Sequence, residues 1–433
     1  MSSVARALAA AATILLSLAI VAVLVARLAG APIAQGPLAS PTQAPTASPH
    51  ASAAPTPTPT PADEMAVLAG IEQQTRDLRG LPDPGIGAPD VITRAQLAGE
   101  VQQMLDDSWT PDELRRANLI LQAMGLLTAD QDLRALTAQL LEGQVLGFYE
   151  YTRQRMVVVS DAGLDPEAEV TYAHEYTHAL QDGAFGAGAH LDSLADDDAI
   201  AAYQALVEGD ATLLMFQWAF AHLSFEQLAQ IGSTPLPDMT GIPDWMVQQL
   251  QWPYLAGLDF LSTVSGMSVV PGSGVQNWSA VDAVYANPPA STEQVIHPDK
   301  YRSGEEPTDV AAVDVAGALG AGWQDLEPNT VGEAMISIWL AQLGAGSTAD
   351  AAAAGWGGDR QTVAVGPDGA WAMAWRVSWD TVADAQEFAD AVGTLTVPTG
   401  TNATLLRPAT DETVVLRASS PDLLATLEAA LGG

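Results

Sequence analysis

The sequence predicts an α+β protein: a mostly helical body with a small β-hairpin sheet, followed by a C-terminal unit in the order ββαββα. Three observations carry this. Four amphipathic segments of helical period run from Asp63 to Gln144. The period then changes, with "VLGFYE" and "RMVVVS" flanking the polar "YTRQ" as a hairpin that ends near Asp161. After about residue 350 two more hairpins appear, each followed by an amphipathic helix.

The chain of 433 residues begins with twenty uncharged, mostly aliphatic residues between Arg6 and Arg27. At about 1.5 Å per residue such a helix matches the ~30 Å core of a bilayer, so residues 1–30 are expected to be a transmembrane anchor or a signal segment. Residues 31–63 follow with nine prolines among Ala, Thr and Ser. That composition cannot pack a core and prefers extended polyproline geometry, so it reads as a disordered stalk. Together the two segments place the remainder outside the cytoplasmic membrane, displayed from a single span or secreted. Residues 64–350 are then the helical body and 351–433 the small C-terminal unit.

Within the body, "DEMAVLAGIEQQTRDLRGL", "ITRAQLAGEVQQMLDD", "PDELRRANLILQAMGLL" and "QDLRALTAQLLEGQ" are the four helices. The hairpin leads into "DPEAEVTYAHEYTHALQDG". There Asp165 suits the N-cap, Pro166 the first helical position, Glu167 and Glu169 the positive end, and Gly183 the stop. A second helix is expected from Asp198 to His222. In the C-terminal unit, "QTVAVG" and "AWAMAWRVSWD" form one hairpin and "ATLLRPA" and "TVVLRASS" the other. "TVADAQEFADAVGTL" and "PDLLATLEAALGG" are the helices.

Composition narrows the chemistry. With 52 Asp+Glu against 16 Lys+Arg and a net charge of -36, the chain is unsuited to nucleic acid. No cysteine is present, so disulfides and thiolate metal sites are excluded. Any metal must be held by carboxylates and by the six histidines: His50 in the stalk, His174, His178, His190, His222 and His297.

His174 and His178 lie four apart on one helix face and can present their ring nitrogens to one ion. Glu175 sits one residue round, within reach of a water on that ion. Zinc lowers the pKa of bound water to about 7, and a neighbouring carboxylate can take its proton. The same spacing also suits a plain solvated helix face, so a third ligand is the deciding requirement. His190 is the nearest spare histidine, but an HExxHxxGxxH arrangement would put Gly at 181 and its third His at 184, where the sequence has Gln181 and Ala184. Glu208 is the alternative. It stands in the apolar run "YQALVEGDATLLM", where a carboxylate is costly unless paired or metal-bound, and Gly209 beside it permits close helix packing.

HEYTH followed by an EGDA-bearing helix resembles the gluzincin class of zinc metallopeptidases, the thermolysin-like architecture. The resemblance implies a zincin-like catalytic domain with His174, His178 and Glu208 as zinc ligands and Glu175 as general base. "VEGDA" is closer to the aminopeptidase branch of that class, and "WPYLAGLDFLSTVSG" is similar to that branch's Pro-Tyr-x-x-Gly segment, which implies Tyr254 as an oxyanion helper. The exopeptidase Gly-x-Met-Glu-Asn segment is missing ahead of HEYTH, so aminopeptidase activity is not implied. Asp210 stands two residues after Glu208 rather than four, which departs from the thermolysin pattern. "GFYEYTRQRMVVV", "ANPPASTEQVIHPDKY" and "AAGWGGDR" resemble stretches of uncharacterised secreted bacterial and archaeal HExxH proteins. His297, in the second of these, is a further candidate to steady the transition state.

The expectation is a Zn2+-dependent peptidase acting on a peptide or protein substrate, anchored in a membrane by its N-terminal segment. The rival is a non-catalytic surface module whose zinc is structural. It requires a fourth protein ligand, with His190, Asp210 and His297 as the candidates.

Overall fold

The computed structural model describes residues 61–161, 163–231, 239–270, 276–397 and 401–432. The first half comprises α1 (Pro61–Arg79), β1 (Asp90–Ile92), α2 (Arg94–Ser108), α3 (Pro111–Met124), α4 (Leu133–Gln144), β2 (Gly147–Glu150), β3 (Arg155–Val159), α5 (Pro166–Phe185), α6 (Ala187–Ser193) and α7 (Asp197–His222). Next come α8 (Phe225–Ile231), α9 (Asp244–Ser265), α10 (Trp278–Ala286), α11 (Thr292–Ile296), α12 (Pro298–Ser303) and α13 (Val315–Leu319). The last part holds β4 (Gln324–Asp325), α14 (Glu333–Leu340), α15 (Ala349–Ala353), β5 (Trp356–Val365), β6 (Trp371–Trp379), α16 (Val382–Val392), β7 (Asn402–Leu406), β8 (Glu412–Ala418) and α17 (Pro421–Leu431). The protein is thus mostly helical with two small sheets, an α+β arrangement.

Local chemistry explains the boundaries. Thr93 and Thr110 close capping boxes with Gln96 and Glu113 at the starts of α2 and α3. Asp165 caps α5 by accepting the Ala168 N–H at 2.8 Å, with Pro166 behind it. The expected stop at Gly183 is overrun. The helix continues to Phe185 and ends where Gly186 adopts φ 66°, a left-handed conformation that glycine reaches without strain. Gly183 instead packs against Pro84, where a side chain would crowd the backbone.

The smaller sheet has the order β1-β3-β2, with β1 parallel and β2 antiparallel to β3. The sequence analysis found the hairpin but not β1, three residues too short to show a period. The larger sheet has the order β4-β5-β6-β8-β7, antiparallel throughout. Its first strand precedes residue 351, so this sheet has one strand more than the expected two hairpins. Alternation along β6 sorts the faces. Ala372 and Ala374 meet α13 and α17 through Val315 and Leu427, while Trp371, Met373, Trp375 and Val377 join the core of the helical body. That core contains residues from both sides of position 350, among them Leu121, Leu141, Trp339, Trp356 and Phe388.

Polar contacts fasten the same seam. The guanidinium of Arg417 on β8 donates to the carbonyl of Met124, the last residue of α3, where the helix end carries partial negative charge. Trp339 Nε1 donates to that carbonyl at 2.9 Å. Asp359 on β5 is 2 % exposed and accepts from the Gly332 N–H at 2.8 Å and the Val331 N–H at 2.9 Å. The indole N–H groups of Trp356 and Trp375 also donate to it, at 2.9 and 3.0 Å.

The membrane expectation is corrected here. Among the described residues no helix is long and apolar enough to cross a membrane. The segment 1–30 expected to do so, and the stalk as far as residue 60, lie outside the described residues.

Candidate metal centre

Helices α5 and α7 carry the site, packed side by side with α9 on the far flank of α7. Gly209 on α7 meets Gly257 on α9 so closely that a Cβ at Gly209 would lie 2.3 Å from the Gly257 carbonyl carbon. One at Gly257 would lie 1.8 Å from the Ala205 oxygen. Only glycine permits this crossing, and it brings Tyr254 over His174, their rings 5.7 Å apart and inclined by 23°.

His174, Glu175, His178, Glu208 and Tyr254 are each at most 1 % exposed. His174 Nε2 lies 3.1 Å from Glu208 Oε2 and 3.1 Å from His178 Nε2, and the third side of the triangle, His178 Nε2 to Glu208 Oε2, is 3.5 Å. Two donors bound at 2.0–2.1 Å to one tetrahedral ion stand about 3.3 Å apart, so this triangle has the size of one face of a zinc tetrahedron. One oxygen of Glu175 falls within 4.8 Å of the ligand nitrogens of both histidines.

Electrostatics agree with the donor set. Burial pulls His174 below the usual histidine range. Burial also opposes charge on His178, yet the facing Glu208 carboxylate outweighs it and lifts His178 to about 9. Burial works against the ionised form of Glu208 too, and the two imidazoles overcome it and lower its pKa. His178 and Glu208 therefore favour each other's charged forms, while burial holds His174 towards its neutral form. Glu175 is pushed up by burial to about 8, against the opposing pull of His178. A carboxylate in that range can both take and return a proton near neutral pH.

The orientation of the ligands is fixed from behind. Gln181 Nε2 donates to the Val207 carbonyl at 2.9 Å and to Asp210 Oδ2 at 3.1 Å, which identifies its other amide atom as oxygen. That oxygen sits 2.9 Å from His178 Nδ1, so Nδ1 carries the hydrogen and Nε2 turns towards the site. Asp210 is held in turn by Arg79, through Nε at 3.0 Å and Nη2 at 3.3 Å, and by the Tyr285 hydroxyl at 2.9 Å. The Arg79 guanidinium lies 4.6 Å from the centre of the Trp278 ring. From the other side, the backbone N–H of Tyr149 on the outer strand β2 donates to Glu175 Oε2 at 3.1 Å. Glu175 Oε1 and Glu208 Oε1 are buried with no hydrogen-bond partner among the described residues.

The structure thus brings His174, Glu175, His178, Glu208 and Tyr254 together. His297 stands in another cluster: its Nε2 is 2.9 Å from Glu333 Oε1, and this bond, with Glu293 nearby, raises its pKa. None of the three candidates for a fourth protein ligand serves as one. The His190 ring packs against that of Tyr203, centroids 4.2 Å apart and inclined by 36°, Asp210 is engaged by Arg79, Gln181 and Tyr285, and His297 is paired with Glu333. The HExxH motif with Glu208 beside it fits a gluzincin-type zinc-peptidase active site, catalytic rather than purely structural.

Sequence reasoning missed Tyr149, Gln181 and Arg79. Gln181 follows His178 by three residues on the same helix face and was legible from that spacing. The Tyr149 contact is a backbone group, and Arg79 stands 131 residues from Asp210, so neither leaves a local signal.

Residues 321–423 match the model of a domain of unknown function, DUF8575. The matched stretch covers β4 to the first turn of α17 and excludes the metal centre, so it describes the C-terminal sheet alone. No curated protein and no solved structure matches the chain.

Proposed function

We propose that the protein is a zinc-dependent peptidase that hydrolyses peptide bonds in peptide or protein substrates. His174, His178 and Glu208 would hold the ion. The observation that carries the reading is the three-donor triangle, to which none of His190, Asp210 and His297 adds a fourth ligand, beside a buried Glu175 with one oxygen unpartnered among the described residues. A structural zinc site closes its coordination with protein atoms, whereas a catalytic one leaves a position open.

When bound, zinc supplies a Lewis acid that polarises a carbonyl and acidifies a water. Glu175, steadied by the Tyr149 N–H, takes the proton of the attacking water and later delivers it to the leaving amine. Gln181 keeps the His178 ring in the tautomer that offers Nε2. The Tyr254 hydroxyl stays protonated, because burial and the Glu208 and Glu175 carboxylates raise its pKa well above the ordinary value. In this reading the hydroxyl, which bonds Glu208 in the absence of substrate, turns to the oxygen that gains charge. Tyr254 suits this role better than His297, whose partner is Glu333. The site is sealed from bulk water in this conformation, which strengthens these interactions and requires local opening to admit a peptide.

The test is Glu175→Gln, assayed for zinc by metal analysis and for hydrolysis of a mixed peptide library. Zinc should remain bound, and turnover should fall by about 10²–10⁴-fold, the contribution of a general base. Undiminished hydrolysis would overturn the mechanism.

A further inference from the structure

Tyr151 follows directly on the outer strand β2, in the turn of the hairpin that precedes the HEYTH helix. Its ring meets that of Tyr149 edge-on, centroids 5.1 Å apart, and approaches the His178 ring at 6.3 Å. Gly188 at the start of α6 makes room for it. A Cβ there would lie 2.8 Å from the Tyr151 Cβ and 2.9 Å from its ring, so any other residue would displace the tyrosine. The Tyr151 hydroxyl is buried and has no hydrogen-bond partner among the described residues. Buried tyrosine hydroxyls ordinarily find one, and an orphan donor beside a reaction centre calls for an explanation.

The surroundings supply it. The carboxylates whose charge acts on this hydroxyl are Glu208, Asp182 and Glu175, of which the first belongs to the donor triangle and the last is the proposed base. Asp182 is occupied by the Tyr149 hydroxyl at 3.1 Å and the Gly188 N–H at 3.1 Å. Tyr254 likewise feels Tyr151 as well as Glu208 and Glu175, so the two phenols stand at the same centre, Tyr254 over His174 and Tyr151 beside His178.

We propose that Tyr151 is a second catalytic donor, whose O–H hydrogen-bonds the carbonyl oxygen of the scissile peptide as that oxygen gains negative charge. The proposal rests on the peptidase reading above and adds a residue to it. No proton is transferred. The attacking water adds to the carbonyl carbon, the C=O π pair moves onto oxygen, and the phenol O–H offers a hydrogen bond that strengthens as charge develops. Among the described residues the hydroxyl has no partner, so its O–H is open to a substrate oxygen. A phenol carries its proton throughout the neutral range.

The experiment is Tyr151→Phe in the full chain, with zinc content, thermal stability, kcat and KM, and affinity for a peptide phosphonate measured beside wild type. Removing one oxyanion donor should lower kcat about 10²-fold with little change in KM. Phosphonate affinity should fall in parallel, since its tetrahedral anionic oxygens mimic the charged state. Zinc content should not change. Deleting an orphan hydroxyl should leave the melting temperature equal or higher, whereas a structural hydrogen bond would lower it. Wild-type kcat and phosphonate affinity would overturn the proposal. Loss of zinc would do so too, by making the hydroxyl a metal ligand, as would a fall in activity explained by unfolding. Glu175→Gln in the same assay separates the two readings. An active Glu175→Gln enzyme defeats the peptidase mechanism itself, while an inactive one beside a fully active Tyr151→Phe defeats only the assignment of Tyr151.

Discussion

Glu208 on α7 and Asp359 on β5 are both carboxylates sealed from solvent, yet their surroundings differ in kind. Asp359 accepts from two backbone N–H groups and two indoles, all at about hydrogen-bond length, and ties the C-terminal sheet to the Val331–Gly332 turn that opens α14. Glu208 sets one oxygen against two histidine nitrogens and Glu175 sets one against the Tyr149 N–H, and among the described residues the second oxygen of each accepts no hydrogen bond. A buried polar network that is fully satisfied rigidifies a fold, whereas one left incomplete is held for something that arrives later. The helical body contains the incomplete kind in front of the metal centre, and behind it Arg79, Asp210, Gln181 and Tyr285 bond one another. Around Asp359, the sheet has the complete kind.

That contrast can be broken at three places. The largest effect is expected at Arg79→Ala, which leaves the buried Asp210 without its cationic partner and should destabilise the protein by about 3–5 kcal/mol in denaturant unfolding. A loss below about 1 kcal/mol would mean that the Arg79–Asp210 pair is not what supports the site. Next is Asp359→Ala, which leaves four N–H donors without their acceptor and should cost about 1–3 kcal/mol. Zinc content and kcat should remain at wild-type values. A collapse of turnover with unchanged stability would show that the sheet takes part in catalysis and would dissolve the contrast. The smallest effect is expected at Gln181→Leu, which frees the His178 ring and should weaken zinc binding about 10–100-fold. A competitive chelator titration measures it, and unaltered affinity would show that Gln181 does not orient the ligand.

Much of this was legible locally. The capping residues Thr93, Thr110 and Asp165 announce their helices, because a cap is a contact over three residues. Gly183 misled as a helix stop, since the choice between it and Gly186 turned on Pro84, about a hundred residues away in the chain. β1 escaped notice because three residues carry no period, and β4 because two carry less. At the centre, the spacing of His174, Glu175 and His178 and the apolar setting of Glu208 pointed to the donor set. Tyr254 came from its likeness to a known segment, and its place over His174 depends on the Gly209–Gly257 crossing.

By itself, then, the sequence determined the donor chemistry. Without cysteine, metal donors in this chain are limited to histidine and carboxylate, and helical geometry alone puts His174 and His178 on one face. What only the tertiary structure decided is which groups complete that half-site. It brings Glu208 to within 3.1 Å of His174, denies a fourth ligand by engaging His190, Asp210 and His297 elsewhere, and buries the Tyr151 hydroxyl beside the centre. The physical reason is range. Helical periodicity and capping act over a few residues and are written in the local sequence, whereas burial, close helix crossing and buried ion pairs arise between segments that meet only when the chain has folded.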